Sequence, residues 1–128
     1  MQKVKDIMTT KVTTIEGSAT VAEAIAVMKA EELRDLVVEP RSSEDAYGIV
    51  TEADIVYKVT AYGKDPTQMQ VHEVMTKPCI VVNPDLRVEH VARLFFHYHI
   101  RRAPVIKEKL IGVVSVTDIL GQVMWWLD

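Results

Sequence analysis

Gly48-Ile49-Val50-Thr51-Glu52-Ala53-Asp54-Ile55 returns later in the chain as Gly112-Val113-Val114-Ser115-Val116-Thr117-Asp118-Ile119. In both places a glycine leads a short β-branched run, a hydroxyl residue ends it, and an aspartate follows three residues on. Such self-similarity signals an internal repeat, and the register can be followed outward to test it. Val4-Lys5-Asp6-Ile7-Met8-Thr9 aligns with Val71-His72-Glu73-Val74-Met75-Thr76, and that register runs without a gap to Val38 and Val105. A loop then resets it: the first copy carries Glu39 to Ala46, rich in serine and charge, where the second needs only Lys107-Glu108-Lys109. The chain is read as one copy over residues 1–62, a linker over 63–70 and a second copy over 71–128.

Each copy has the same sequence of periods. Val12 to Ile15 and Ile80 to Val82 are β-branched runs closed by Glu16-Gly17 and Asn83-Pro84, as strands entering turns would be. A helix is expected next, because Thr20 with Glu23 is a capping-box signature and Val21, Ala24, Ile25 and Met28 fall at helical spacing. Its counterpart stripe is Val88, Val91, Ala92 and Phe95. Leu36-Val37-Val38 and Ala103-Pro104-Val105-Ile106 read as second strands, Gly48-Ile49-Val50 and Leu110 to Val114 as third, and another helix follows Thr51 and Ser115. A βαββα unit of about 60 residues buries little of its apolar surface alone. The expected fold is therefore α/β (α+β), two such repeats related by a pseudo-twofold axis and packed sheet to sheet.

Composition narrows the function. With 48% hydrophobic and 26% charged residues the chain is ordinary for a folded soluble protein, and a net charge of −3 gives no field that would attract nucleic acid or an anionic membrane. No stretch approaches a membrane span, and the start MQKVKDIMTT lacks a signal-peptide core, so a cytoplasmic protein is expected. The lone Cys79 can form neither an internal disulfide nor a C-x-x-C site.

The repeated segment puts a hydroxyl at the mouth of a helix and a carboxylate in its first turn. Unpaired N–H groups there can hold a phosphate with help from Thr51 or Ser115, and Asp54 or Asp118 could accept from a ribose diol. The same Thr-x-x-Asp pattern is also a plain helix cap without a ligand. What favours a site is its repetition together with arginine before the second strand: Leu33-Arg34-Asp35 answers Ile100-Arg101-Arg102. A guanidinium there could clamp phosphate oxygens from the facing copy.

These pieces together resemble the tandem cystathionine β-synthase domain pair, or Bateman module, over nearly the whole chain. The matching residues are Met8-Thr9 with Met75-Thr76, Arg34-Asp35-Leu36-Val37-Val38 with Arg102-Ala103-Pro104-Val105, and the two Gly-to-Asp segments. The resemblance implies two clefts between the repeats that bind AMP, ADP, ATP or S-adenosylmethionine as regulatory ligands. Carried over by position, the first cleft uses Thr51 and Asp54 with Arg102 from the other repeat, bordered by Thr9, Val12, Thr13, Leu33 and Arg34. The second uses Ser115 and Asp118, bordered by Thr76, Cys79, Ile80, Ile100 and Arg101. Because Asp35 stands where Arg102 has its counterpart, the first cleft is expected to be the better anion site. The stretches Gly48 to Tyr57 and Met75 to Asp85 are also similar to modules that photosynthetic microbes carry fused to a small cysteine-bearing regulator of carbon fixation. These 128 residues contain no cysteine pair, so such a tail is expected either to be absent or to lie outside this sequence.

An enzyme is not expected, since the five glycines form neither G-x-G-x-x-G nor a phosphate loop. His97 and His99, two apart near a helix end, make a poor metal pair, and no basic stripe with interleaved aromatics supports nucleic-acid binding. The rival reading is an assembly module without a physiological nucleotide. Ile119, Leu120, Val123, Met124, Trp125, Trp126 and Leu127 form a run too apolar for an isolated surface helix, and the adjacent tryptophans point to different sides. A homodimer is therefore expected, with at least one tryptophan against another chain.

Overall fold

The structure is a computed structural model that describes residues 2–127, with side chains through Gln122. In chain order its elements are α1 (Val4–Ile7), β1 (Thr14–Ile15), α2 (Val21–Glu31), β2 (Asp35–Val38), β3 (Gly48–Thr51), α3 (Glu52–Lys58), α4 (Val88–Tyr98), β4 (Arg102–Lys107), β5 (Lys109–Ser115) and α5 (Val116–Leu127). Short 3-10 turns cover Thr60–Tyr62 and Val71–Glu73. The chain forms two compact units whose limits do not follow the repeats: one is the continuous stretch Thr13–Cys79, the other joins Met1–Val12 to Ile80–Asp128. No helix among the described residues is long and apolar enough to cross a membrane.

In the continuous unit the sheet order is β1-β2-β3. β1 lies parallel to β2, with Thr14 opposite Val37, and β2 runs antiparallel to β3, with Asp35 opposite Thr51 and Val38 opposite Gly48. Parallel neighbours need a crossover, which α2 supplies. Its capping box forms as the sequence predicts: Thr20 Oγ1 accepts from Glu23 N, and the Glu23 carboxylate accepts from Thr20 N, both at 3.1 Å. Val21, Ala24 and Met28 join Ile15, Leu36, Val38, Val50, Ile55 and Val59 in the core, and Val71 and Val74, from the opening of the second copy, complete it. The connection is stitched down as well, for Val21 N donates to Met69 O at 2.8 Å, Ala22 N to Pro66 O at 3.0 Å and Val71 N to Ala19 O at 2.8 Å.

The other unit mirrors this exchange. Val4, at the chain's start, is fully buried among Val82, Val91, Phe95, Ala103, Val105 and Val114, and its N–H donates to Leu86 O at 2.9 Å. β4 and β5 pair antiparallel, with Arg102 opposite Ser115. The strand predicted over Ile80 to Val82 is reduced to one parallel bridge between Val82 and Val105. Pro104 accounts for the loss. Val82 N donates to Pro104 O and Ile106 N to Val82 O, both at 3.0 Å, but pairing one step back would need an N–H from residue 104, which proline lacks. Its counterpart in the first copy is Val37, which keeps its N–H and pairs with Thr14.

Both long crossover helices end in the left-handed region without glycine. α2 stops at Glu32 (φ 56°) and α4 at His99 (φ 55°), the same repeat position in each copy. The side chains of residues 123–127, on which the expectation of an interfacial tryptophan rests, lie outside the described residues.

Candidate ligand-binding site

The glycine that leads each repeated segment is required by a close approach. A Cβ on Gly112 would stand 2.7 Å from Met8 Sδ and 2.9 Å from Thr9 O, and on Gly48 it would stand 3.0 Å from Met75 Sδ and 3.2 Å from Thr76 O. The threonines then pair with the strands. Thr9 and Val113 exchange two backbone hydrogen bonds at 2.9 Å, and Thr76 and Ile49 exchange two at 2.9 and 3.0 Å. The Met-Thr and Gly signatures recur in the sequence because they touch in the fold, and the glycine serves packing rather than a phosphate.

In the continuous unit the mouth begins where β3 becomes α3. Thr51 Oγ1 accepts from Asp54 N, and Asp54 Oδ2 accepts from Thr51 N, both at 3.0 Å. These are the reciprocal bonds of a capping box, so the simple capping reading of Thr-x-x-Asp holds for one carboxylate oxygen. The other, Oδ1, faces Lys58 Nζ at 3.4 Å, with the Asp54 side chain only 18% exposed. Lys58 also donates to Val74 O at 2.9 Å. Within this box the Thr51 hydroxyl accepts from Asp54 N and does not donate to the Asp54 carboxylate. Arg34 supports the mouth through its backbone, its carbonyl accepting from Glu52 N at 2.9 Å.

The matching mouth, where β5 becomes α5, is bonded differently. Ser115 N and Oγ both donate to Asp118 Oδ2, at 2.9 and 3.0 Å, while Oγ accepts from Asp118 N at 3.2 Å. The hydroxyl proton is thus committed to the aspartate, and Ser115 is itself buried. The backbone support repeats, with Val116 N donating to Arg101 O at 2.9 Å. Strand register sets the neighbouring charges: Asp35 lies directly across from Thr51, and Arg102 directly across from Ser115. Directly opposed residues share a face of the sheet, so one hydroxyl has a carboxylate beside it and the other a guanidinium.

The remaining predicted residues divide between the units. Thr13, Leu33, Arg34, Thr76 and Cys79 belong with Thr51 and Asp54, whereas Thr9, Val12, Ile80, Ile100, Arg101 and Arg102 belong with Ser115 and Asp118. Thr13 Oγ1 donates to Glu31 Oε2 at 2.6 Å. Ile100 and Arg101 line an apolar groove of about 570 Å³ with Phe95, Phe96, Ile119 and Leu120. Burial pushes the Cys79 thiol up to about 11, so it is no nucleophile near neutrality. Sequence reasoning missed Lys58, although its i, i+4 spacing from Asp54 is the signal that would have found it.

A matched pair of strand-turn-helix mouths, each set on a repeat that trades its opening segment with its twin, defines a class of paired-repeat regulatory ligand-binding modules. The chain belongs to the CBS domain family, which it matches twice, over residues 4–61 and 71–124. The CBS domain-containing protein YhcV of Bacillus subtilis is 33% identical over 93% of this chain and 84% of its own. A hexameric CBS-CP12 protein from bloom-forming cyanobacteria is 60% identical, with a TM-score of 0.89 over 94% of this chain and 70% of that one. The CBS domain pair of MJ0100, solved in complex with 5′-methylthioadenosine and S-adenosylmethionine, shares the fold at a TM-score of 0.84 and 24% identity, over 100% of this chain and 99% of that one.

Proposed function

We propose that this chain is a regulatory module that binds an adenine nucleotide, AMP, ADP or ATP, at Thr51 and Asp54, and that occupancy changes its assembly or its hold on a partner protein. The observation that carries this reading is the unequal bonding of the two mouths. Ser115 directs its hydroxyl proton into Asp118, whereas Thr51 does not direct its own into Asp54, and Asp54 Oδ1, beside Lys58, retains a lone pair for a ribose hydroxyl. The family resemblance assigns Arg102 to the phosphate at Thr51, although strand register sets it across from Ser115, and a double-mutant cycle tests the assignment. Non-additive losses for Arg102→Ala with Thr51→Ala support it, and coupling to Ser115→Ala instead would move the phosphate to the second mouth.

The direct test is a calorimetric panel of AMP, ADP, ATP, adenosine and S-adenosylmethionine on the wild type and Asp54→Ala. Losing charged hydrogen bonds to the ribose costs about 1.5–3 kcal/mol, or roughly ten- to a hundredfold in affinity, and Asp118→Ala is expected to cost less. Absence of binding across the panel sinks the sensor reading.

A second reading, an assembly element without a nucleotide, is favoured by the groove between α4 and α5, where Phe96 is 82% and Leu120 54% exposed. The hexameric state of the cyanobacterial relative also supports self-association. Light scattering of the wild type and Phe96→Glu, with and without nucleotide, separates the two: assembly indifferent to every ligand favours this one.

A further inference from the structure

The two mouths differ at one further position, and it bears on Asp54. Asp54 Oδ2 is held by the backbone of Thr51, which leaves Oδ1 as the oxygen without a backbone donor, and Lys58 Nζ stands 3.4 Å from it. The Lys58 side chain is 47% exposed, but its ammonium is held at both ends of its reach. It is anchored by its bond to the Val74 carbonyl at 2.9 Å, in a residue that is 1% exposed. The carbonyl of a buried residue thus tethers the lysine, and the lysine lies against the free oxygen of the carboxylate. The second copy has Gln122 in this place, one turn after Asp118, and cannot supply the charge.

We propose that Lys58 is the positioning residue of the Thr51 mouth: it holds Asp54 Oδ1 in the orientation that accepts from a ribose diol, and so gives that mouth its preference for ribonucleotides. The proposal rests on Asp54 meeting the ribose. Side-chain rotation costs entropy when a ligand must freeze it, and a carboxylate already aligned by a tethered cation avoids that cost.

The experiment is calorimetric titration of the full chain with AMP and with 2′-deoxyadenosine monophosphate, read at the site that Asp54→Asn removes. Lys58→Met is expected to weaken AMP about three- to tenfold while leaving the deoxynucleotide within about twofold, because only a ligand with both hydroxyls uses the aligned carboxylate. Lys58→Gln keeps an N–H for Val74 O without the charge and is expected to behave like Lys58→Met. Lys58→Arg retains the cation and is expected to recover most of the ribose preference. Equal loss for both nucleotides, or loss for neither, overturns the role of Lys58. Should Asp54→Asn abolish the ribose preference and Lys58→Met leave it intact, Lys58 alone loses its assignment. Should the wild type bind both nucleotides alike with Asp54→Asn affecting neither, the reading of the mouth falls and the role of Lys58 with it.

Discussion

Replacing Val71 by alanine tests the exchange of opening segments directly. Val71 lies in the second sequence copy, yet it is fully buried in the core of Thr13–Cys79 beside Val21, Ala24 and Leu36. The substitution leaves its backbone bonds in place, so the loss is one of packing. Two methyl groups at about 0.8 kcal/mol each give about 1.6 kcal/mol of transfer energy, and the cavity left behind raises the total to about 2–3 kcal/mol. Urea unfolding of the full chain measures the magnitude, and native-state amide exchange reports the place. Faster exchange is expected in α2, β2 and β3 and not in α4, β4 or β5. Val4→Ala is expected to give the reverse pattern, since Val4 is buried with Val91, Phe95 and Val114. Exchange that rises in α4 and β4 for Val71→Ala, or a loss under about 0.5 kcal/mol, refutes the division into these units.

Three other outcomes follow from the geometry. The backbone N–H of Arg41 and then the ammonium of Lys77 hold the Asp45 carboxyl well below the usual carboxylate range. A carboxyl lowered in the folded state stabilises it above the unfolded value of about 4 and ceases to as pH falls further. Asp45→Asn should therefore flatten the decline of the urea midpoint between about pH 5 and 3, and an unchanged slope counts against the clamp. Cys79, pushed up to about 11 by burial, should resist iodoacetamide at about pH 8 until denaturant is added, and rapid labelling of the folded chain would show the thiol open. His99→Gly removes a side chain from φ 55° and should raise stability by about 0.5–1 kcal/mol, read as a higher thermal midpoint. An unchanged or lowered midpoint would mean that the His99 side chain contributes more than its backbone costs.

Much of this was legible in the sequence because local signals and fold agree. The Thr20–Glu23 box, the Val21, Ala24, Met28 stripe and the paired hairpins all form where their periods place them. The fate of Ile80 to Val82 was not read, although Pro104 was in view, because a missing N–H matters only once the neighbouring strand is known. The exchange of Val4 and Val71 was hidden for a similar reason: a valine that opens a short helical segment reads the same whichever core it enters. At the candidate site, Thr51, Asp54, Ser115 and Asp118 were found by repetition, but the direction of each hydroxyl proton depends on side-chain geometry that no spacing encodes. Register likewise placed Asp35 across from Thr51 and Arg102 across from Ser115, neighbours that linear alignment sets far apart.

The trade of opening segments also orders events during biosynthesis. Thr13–Cys79 is continuous, so everything its core requires has been synthesised before Ile80 is added. Val4 and Met8 are translated before that core, yet the residues that receive them, Val91, Val105, Gly112 and Val114, come after it. The segment around Val4 and Met8 waits for residues made much later, and a released fragment ending at Cys79 would hold a complete unit with that segment unclaimed.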